Sequence, residues 1–341
     1  MTYYVGKPNV CNPEGMIEYV YKVLRSGKLT NNGEQVEAFE YEFANKHKFK
    51  YAVAVSNATV GLQLCLSGYP NGRIGLPAFS FIATLNAVKN SKLLPDFYDV
   101  DENMAINNSE SRLTLPVNLF GSCVPEKFNG KNVAVYDSAH CTGMDVTHLK
   151  GAPHVFSLHA TKLVNSCEGG MICTDNKFLA DYLKAARNFG FDPNSEAPEG
   201  EILDIDGGTN AKMSEVHAAI GRFNLASVGE IIEYNKQIFK WYEEFLPEVN
   251  LFIPPESSNF SYIVMNFQPE VRERLYTSLR VMGVMVRKYF AYTLPKVAKI
   301  KGDFPMAERF SQTNLAFPTG MELKREDIEH ICKLTRGFIN D

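Results

Sequence analysis

The stretch YAVAVSNATVGLQLCLSG, residues 51–68, limits the possible folds more than any other part of the chain. A short apolar run gives way to small polar residues. Val60, Leu64 and Ser67 then recur at helical spacing, so the stretch reads as strand, tight turn and helix. IGLPAFSF (74–81) repeats the scheme and leads into a helix over 82–90. Further apolar runs follow in LPDFYDV (94–100), LTLPVNLFG (113–121), NVAVYDSAH (132–140) and HVFSLHATK (154–162), and GMICTDN (170–176) reads as another strand. Strands alternating with helices or crossover segments predict an α/β domain with a largely parallel sheet. The segments 101–112 and 122–131 leave little room for full crossover helices.

Upstream, residues 14–27 read as a helix ending at Gly27, followed by the turn LTNNG and an amphipathic helix over about 34–47. From about residue 213 the texture changes. MSEVHAAIGRFNLASVGEIIEYNKQIFKWYEEFL keeps helical spacing throughout and reads as one long helix with a possible break near Gly229. The strand-like SYIVMNF, a helix over 269–282 and a last helix from about 324 complete a smaller α+β unit. The expected division is therefore a large α/β domain over 1–228 and a small α+β domain over 229–341.

Composition excludes several classes. The net charge is −4 and no basic run occurs, so nucleic acid has no electrostatic footprint to meet. No apolar run reaches membrane-spanning length, and MTYYVGKPNV lacks the pattern of a signal peptide. Seven cysteines without a CxxC pair read as reduced thiols of a cytoplasmic protein, not as a disulfide framework or a metal site. GxGxxG and GxxxxGK[ST] are both absent, which removes dinucleotide-dependent dehydrogenases and P-loop enzymes from consideration.

In open parallel sheets ligands bind beyond the carboxyl ends of the strands. Ser56-Asn57-Ala58-Thr59 follows one run, Asp137-Ser138-Ala139-His140 another, and Ser157 a third, with Lys162 five residues later. Together they supply an anion-binding helix start, an acid, a hydroxyl and an amine on one rim. Pyridoxal phosphate needs this set. Its aldehyde takes a lysine, its phosphate takes backbone N–H groups and hydroxyls, and its pyridine nitrogen takes a carboxylate. Each residue alone has a plainer reading: a surface lysine, a turn-capping aspartate, a helix N-cap, a core phenylalanine. Apart from His140 and His159, the histidines, 47, 148, 154, 217 and 330, show no metal-ligand spacing.

The chain resembles the DegT/StrS family of sugar aminotransferases, pyridoxal-phosphate enzymes of fold type I, over nearly its whole length. The resemblance is carried by LRSGKLTNNGEQVEAFEYEFA, SNATVGL, PAFSFIAT, PVNLFG, VYDSAH, FSLHATKLVNSCEGG, GTNAKMSEVHAAIG and NLAFPTGM, in that order. It implies a seven-stranded, mostly parallel sheet flanked by helices in the large domain. It also implies Lys162 as Schiff-base lysine and proton shuttle, Asp137 as partner of the pyridine nitrogen, and His140 near the phenolic oxygen. Phe81 would stack on the ring, and Ala58, Thr59 and Ser157 would hold the phosphate. Asn210 and Lys212 would reach the phosphate in the partner subunit of a homodimer. Asn118 stands where many members have His, and Cys167 where Gly is common.

The implied activity is transfer of an amino group from L-glutamate to a nucleotide-linked keto-deoxysugar, for amino-sugar or surface-polysaccharide synthesis. VRKYFAYTLP (286–295) leans towards amination of a 3-keto over a 4-keto sugar. The related sugar dehydratases carry His at the Schiff-base position, so Lys162 argues against that chemistry. The retained Lys162, Asp137 and phosphate turn argue against a non-enzymatic regulatory protein on the same fold.

Overall fold

The computed structural model describes residues 2–125, 128, 132–149, 151–197, 200–205 and 207–340, so part of the 122–131 segment lies outside the described residues. Strand β1 (Tyr3–Tyr4) precedes helices α1 (Pro13–Ser26) and α2 (Glu34–Lys46). The units β2 (Tyr51–Val55), α3 (Ala58–Ser67), β3 (Arg73–Pro77), α4 (Ile82–Asn90) and β4 (Leu94–Tyr98) follow the alternation read from the sequence. Then come β5 (Tyr136–Asp137), β6 (His154–Ser157), β7 (Gly170–Thr174) and α5 (Lys177–Ala186). The expected long helix is two, α6 (Glu215–Ala226) and α7 (Val228–Phe245), and the break falls at Ser227 rather than at Gly229.

The central strands pair in the order β2-β7-β6-β5, and β3 pairs with β4. Single parallel bridges from Gly75 to Thr114, Thr114 to Val133, and Val117 to Asp137 run between these two pieces. LTLPVNLFG thus supplies isolated bridges in place of a named strand. Strand β7 is antiparallel to both neighbours, whereas β5–β6 and β3–β4 are parallel. The reason is the connection. Residues 158–169 between β6 and β7 contain no helix, and a parallel return needs a crossover that such a loop does not provide.

Alternate residues of the central strands enter different cores, as the two-residue side-chain period requires. Val53, Val55, Val155 and Ile172 pack with Leu62, Leu85 and Leu183 of α3, α4 and α5. Ala52, Ala54, Phe156 and Met171 pack with Phe39 and Phe43 of α2 and Ala218 of α6. The sheet is therefore covered on both faces.

The remaining elements are β8 (Asn250–Leu251), β9 (Ile263–Asn266), α8 (Pro269–Val281), β10 (Val284–Met285), α9 (Leu294–Ala298), α10 (Pro305–Thr313), β11 (Asn314–Phe317) and α11 (Arg325–Asn340). The sheet β11-β9-β8 packs through Met265, Leu315 and Phe317 on Ile238, Leu275 and Ile331 of α7, α8 and α11. Tyr262, Val264 and Phe310 join the core of the central sheet instead. Strand β1 pairs in parallel with β10, so the N-terminal segment lies along this second unit.

Candidate active site

The register of the central strands gathers the candidate residues. Gly170 at the start of β7 lies opposite both Val55 at the end of β2 and Ser157 at the end of β6. The turn before α3, the Ser157 hydroxyl and the loop bearing Lys162 therefore share one rim. Only glycine fits at 170, because a Cβ there would lie 2.6 Å from the Ala58 nitrogen.

A cavity of about 580 Å³ opens on this rim. Ala58, Thr59, Phe81, Asp137, His140, Ser157 and Lys162 all line it, as does His159. Asn57 caps α3, with its Oδ1 accepting from the Val60 N–H at 2.9 Å. The N–H groups of Ala58 and Thr59, the first two helical residues, have no intrahelical partner and remain available to an anion. Phe81, at the N-cap of α4, is 54% exposed, unusual for a large apolar side chain, and it lines the cavity.

Asp137 is 5% exposed. Its Oδ2 accepts from the Thr84 hydroxyl at 2.8 Å and its Oδ1 from the Ala139 N–H at 3.2 Å. No ion pair to it occurs among the described residues. Burial raises its carboxyl above the ordinary aspartate value, opposed by these hydrogen bonds and by the charge of Lys162. A buried carboxylate in this state is stabilised by a cation placed against it, which a protonated pyridine provides.

Lys162 Nζ donates to the Tyr262 hydroxyl at 3.2 Å. Burial pulls its amine down to about 8, opposed by Tyr289 and Asp137. His140 stacks on Tyr262 with ring centroids 4.3 Å apart, and its Nδ1 accepts from the Phe120 N–H at 3.2 Å. The imidazole is held well below its usual value by burial and then by Lys162, so it is neutral. The Phe120 contact leaves the ring hydrogen on Nε2, making that atom a donor.

Asn210 and Lys212 do not line this cavity. Asn210 is exposed and Lys212 Nζ lies 4.5 Å from the Phe189 ring centroid. Between them, Ala211 is fixed by accepting from the Ser56 N–H at 2.8 Å and donating to the Arg187 carbonyl at 2.9 Å. The two departures from the family pattern have local explanations. Asn118 donates to Ser138 Oγ and accepts from the Val124 N–H, so both ends of its amide are held. Cys167 has φ of 64°, the backbone region where glycine is favoured.

Several site residues escaped the sequence reading. Thr84, one turn into α4, closes the segment PAFSFIAT, and its spacing from Phe81 was the available signal. Tyr262, Arg287, Tyr289 and Phe290 line the cavity from the second unit. Nothing local marks Tyr262. Arg287 is the cation facing this cavity that has no carboxylate partner among the described residues apart from Lys162, and its NH1 lies 3.5 Å from the Tyr289 hydroxyl.

The chain is 27% identical to the dTDP-4-amino-4,6-dideoxy-D-glucose transaminase of Shigella dysenteriae, with 98% of each chain covered. It superposes on DesI, solved in the presence of its TDP-sugar product, with a TM-score of 0.87 and 30% identity over 99% of this chain and 94% of that one. Spr1654 of Streptococcus pneumoniae in its PLP form shares the fold, with a TM-score of 0.87 at 17% identity over 100% of this chain and 99% of that one. With the family model matching residues 11–336, the chain belongs to the DegT/DnrJ/EryC1/StrS aminotransferase family and is a pyridoxal-phosphate-dependent nucleotide-sugar aminotransferase.

Proposed function

We propose that the protein moves the amino group of L-glutamate to the keto carbon of a nucleotide-linked deoxysugar by a ping-pong route in this one cavity. The observation that carries the reading is Lys162 and Asp137 on a single rim, the amine brought to about 8 and the carboxylate buried with no ion pair among the described residues. Pyridoxal phosphate, when bound, supplies an aldehyde that accepts amines and a ring that absorbs the electrons of a deprotonated carbon.

The residues present fit that group. Ala58, Thr59 and Ser157 would hold the phosphate. Asp137 would keep the pyridine nitrogen protonated, and Phe81 would cover a ring face. His140 would offer Nε2–H to the phenolic oxygen. Lys162 would meet the aldehyde as the neutral amine, which its lowered pKa makes accessible near neutrality. Its Nζ would also hold and move a proton. Tyr262 limits where that atom can go. Asn210 and Lys212, turned away from the chain's own cavity, serve the phosphate of a partner subunit.

Two observations bear on the sugar carbon. The stretch 286–295 resembles one in family members that aminate a 3-keto position, whereas the name of the Shigella relative places its amine at carbon four. Assaying 3-keto and 4-keto sugars on dTDP, UDP and GDP with glutamate as donor separates them. The expected result is one keto position aminated and no turnover by Lys162→Ala. Turnover of none of these sugars by the cofactor-loaded wild type overturns the reading.

A further inference from the structure

A second, much smaller chamber of about 20 Å³ lies behind Lys162. Lys162, His140 and Tyr262 line both it and the main cavity, so the lysine stands between the two. Two buried side chains that line the chamber each carry a polar atom with no partner. Asn9 is 7% exposed and its Oδ1 has no partner, while Thr142 is 2% exposed and its Oγ1 has none. The other polar end of Asn9 is used, with Nδ2 donating to the Leu163 carbonyl at 3.1 Å. Exposed Lys7 stands at the chamber's rim.

Leaving a buried carbonyl and a buried hydroxyl unmatched costs about 1–3 kcal/mol each. A water needs roughly 10–15 Å³ and two to four polar partners, and the chamber meets both conditions. The occupant must donate to Asn9 Oδ1, which only accepts. A cation is disfavoured, because neither orphan is charged and the Lys162 amine adjoins. A neutral water satisfies all of these constraints.

We propose that the chamber binds one ordered water between Asn9 Oδ1 and Thr142 Oγ1, and that this water exchanges protons with Lys162 Nζ from the rear. The exchange role rests on the aminotransferase reading; the water site does not. Cofactor and substrate in the main cavity cover the lysine from the front. A proton that Nζ has taken from the amino donor can then reach solvent only through the rear water. In each exchange one N–H bond breaks and another forms with a hydrogen from water, with no net change in charge. The N-terminal segment is thus part of the machinery, since Asn9 supplies half of the water's binding site.

An experimental structure of the cofactor-free protein tests the site directly. Density for a water within hydrogen-bond distance of both Asn9 Oδ1 and Thr142 Oγ1 is expected, and an empty chamber overturns the proposal. The exchange role is read in a single half-reaction with 2-deuterated glutamate, by mass analysis of the aminated cofactor. The wild type should lose nearly all label to solvent. Thr142→Val removes the hydroxyl at constant shape. Retained label should rise towards the limit of about one third set by three equivalent ammonium hydrogens. Thr142→Ser should restore the loss, and Asn9→Leu provides a second variant for the same measurement. Full loss in Thr142→Val, or retention in the wild type, overturns the relay. Failure of the wild type to aminate its cofactor overturns the glutamate-donor reading alone and leaves the crystallographic result standing.

Discussion

At the scale of single residues, Asp137 carries the largest electrostatic weight. Its carboxylate is buried, its hydrogen bonds come from a hydroxyl and one backbone N–H, and no ion pair to it occurs among the described residues. Pairing with a protonated pyridine would be a largely desolvated contact, and breaking such pairs costs on the order of 3–5 kcal/mol. Asp137→Asn should still bind cofactor but slow the glutamate half-reaction by about two to four orders of magnitude. Stopped-flow rates near wild type would remove Asp137 from this role. Cys167 offers a stability test. A non-glycine residue at φ of 64° stores about 1–3 kcal/mol of strain, partly offset in the glycine variant by extra freedom of the unfolded chain. Cys167→Gly should therefore raise the urea midpoint slightly, by the equivalent of about 1 kcal/mol, and a lowered midpoint would show that its thiol packs more favourably than its backbone is strained. The candidates on this rim were legible because each follows an apolar run within a few residues. Tyr262, Arg287 and Asn9 were not, since none of them follows a strand of the central sheet, and only tertiary packing brings them there.

At the scale of elements, the start of α2 shows how the fold is held near the site. Its N-cap is Gly33, which has no side chain to offer the first N–H groups. Glu215 at the start of α6 substitutes. Its Oε1 accepts from the Gly33 N–H at 2.6 Å, and its Oε2 accepts from Gln35 at 2.8 Å and Val36 at 3.3 Å. A Cβ at residue 33 would lie 2.7 Å from the Glu215 carboxyl carbon, so the cap requires glycine. The carboxylate is buried and also meets the positive end of the helix dipole. Glu215→Gln removes the charge and turns one acceptor into a donor facing an N–H. It should destabilise by about 2–4 kcal/mol, read as a lowered urea midpoint, and an unchanged midpoint would mean that the loop at 29–33 finds another partner. The sequence showed the strand–helix alternation and both of the first helices, because strong periodicity marks them. It did not show α5, α9 and α10, nor the pairing of β1 with β10. Those elements are short or join distant segments, and a two-residue strand has no period to read. The antiparallel entry of β7 was hidden for a related reason: a strand's direction depends on what connects it, and the lysine loop looked no different from a crossover in one dimension.

At the scale of the whole molecule, the placement of Asn210 and Lys212 points beyond a single chain. Ala211 between them is locked to the backbone of Ser56 and Arg187, yet both side chains lie outside the chain's own cavity. Helix α1 also presents Ile17, Tyr21 and Leu24, spaced at one helical face and all exposed. An unpartnered apolar stripe and a cation beside an anion-binding site of opposite need are both accounted for by a homodimer that shares its active sites. A charge-assisted contact to a phosphate is worth about 1.5–3 kcal/mol, so losing two should nearly silence a site. The decisive measurement mixes a Lys162→Ala chain with an Asn210→Ala, Lys212→Ala chain after reversible dissociation. If sites are shared, one site of the mixed dimer receives every lesion and the other receives none. About a quarter of all sites should then be intact after random reassortment, and activity should return to that fraction of wild type. If each site is built from one chain, every site keeps a lesion and activity stays at the parental level. Differential tags on the two chains show whether the mixed dimer formed. Silence in a preparation that contains it would assign Asn210 and Lys212 to their own subunit or to no site at all.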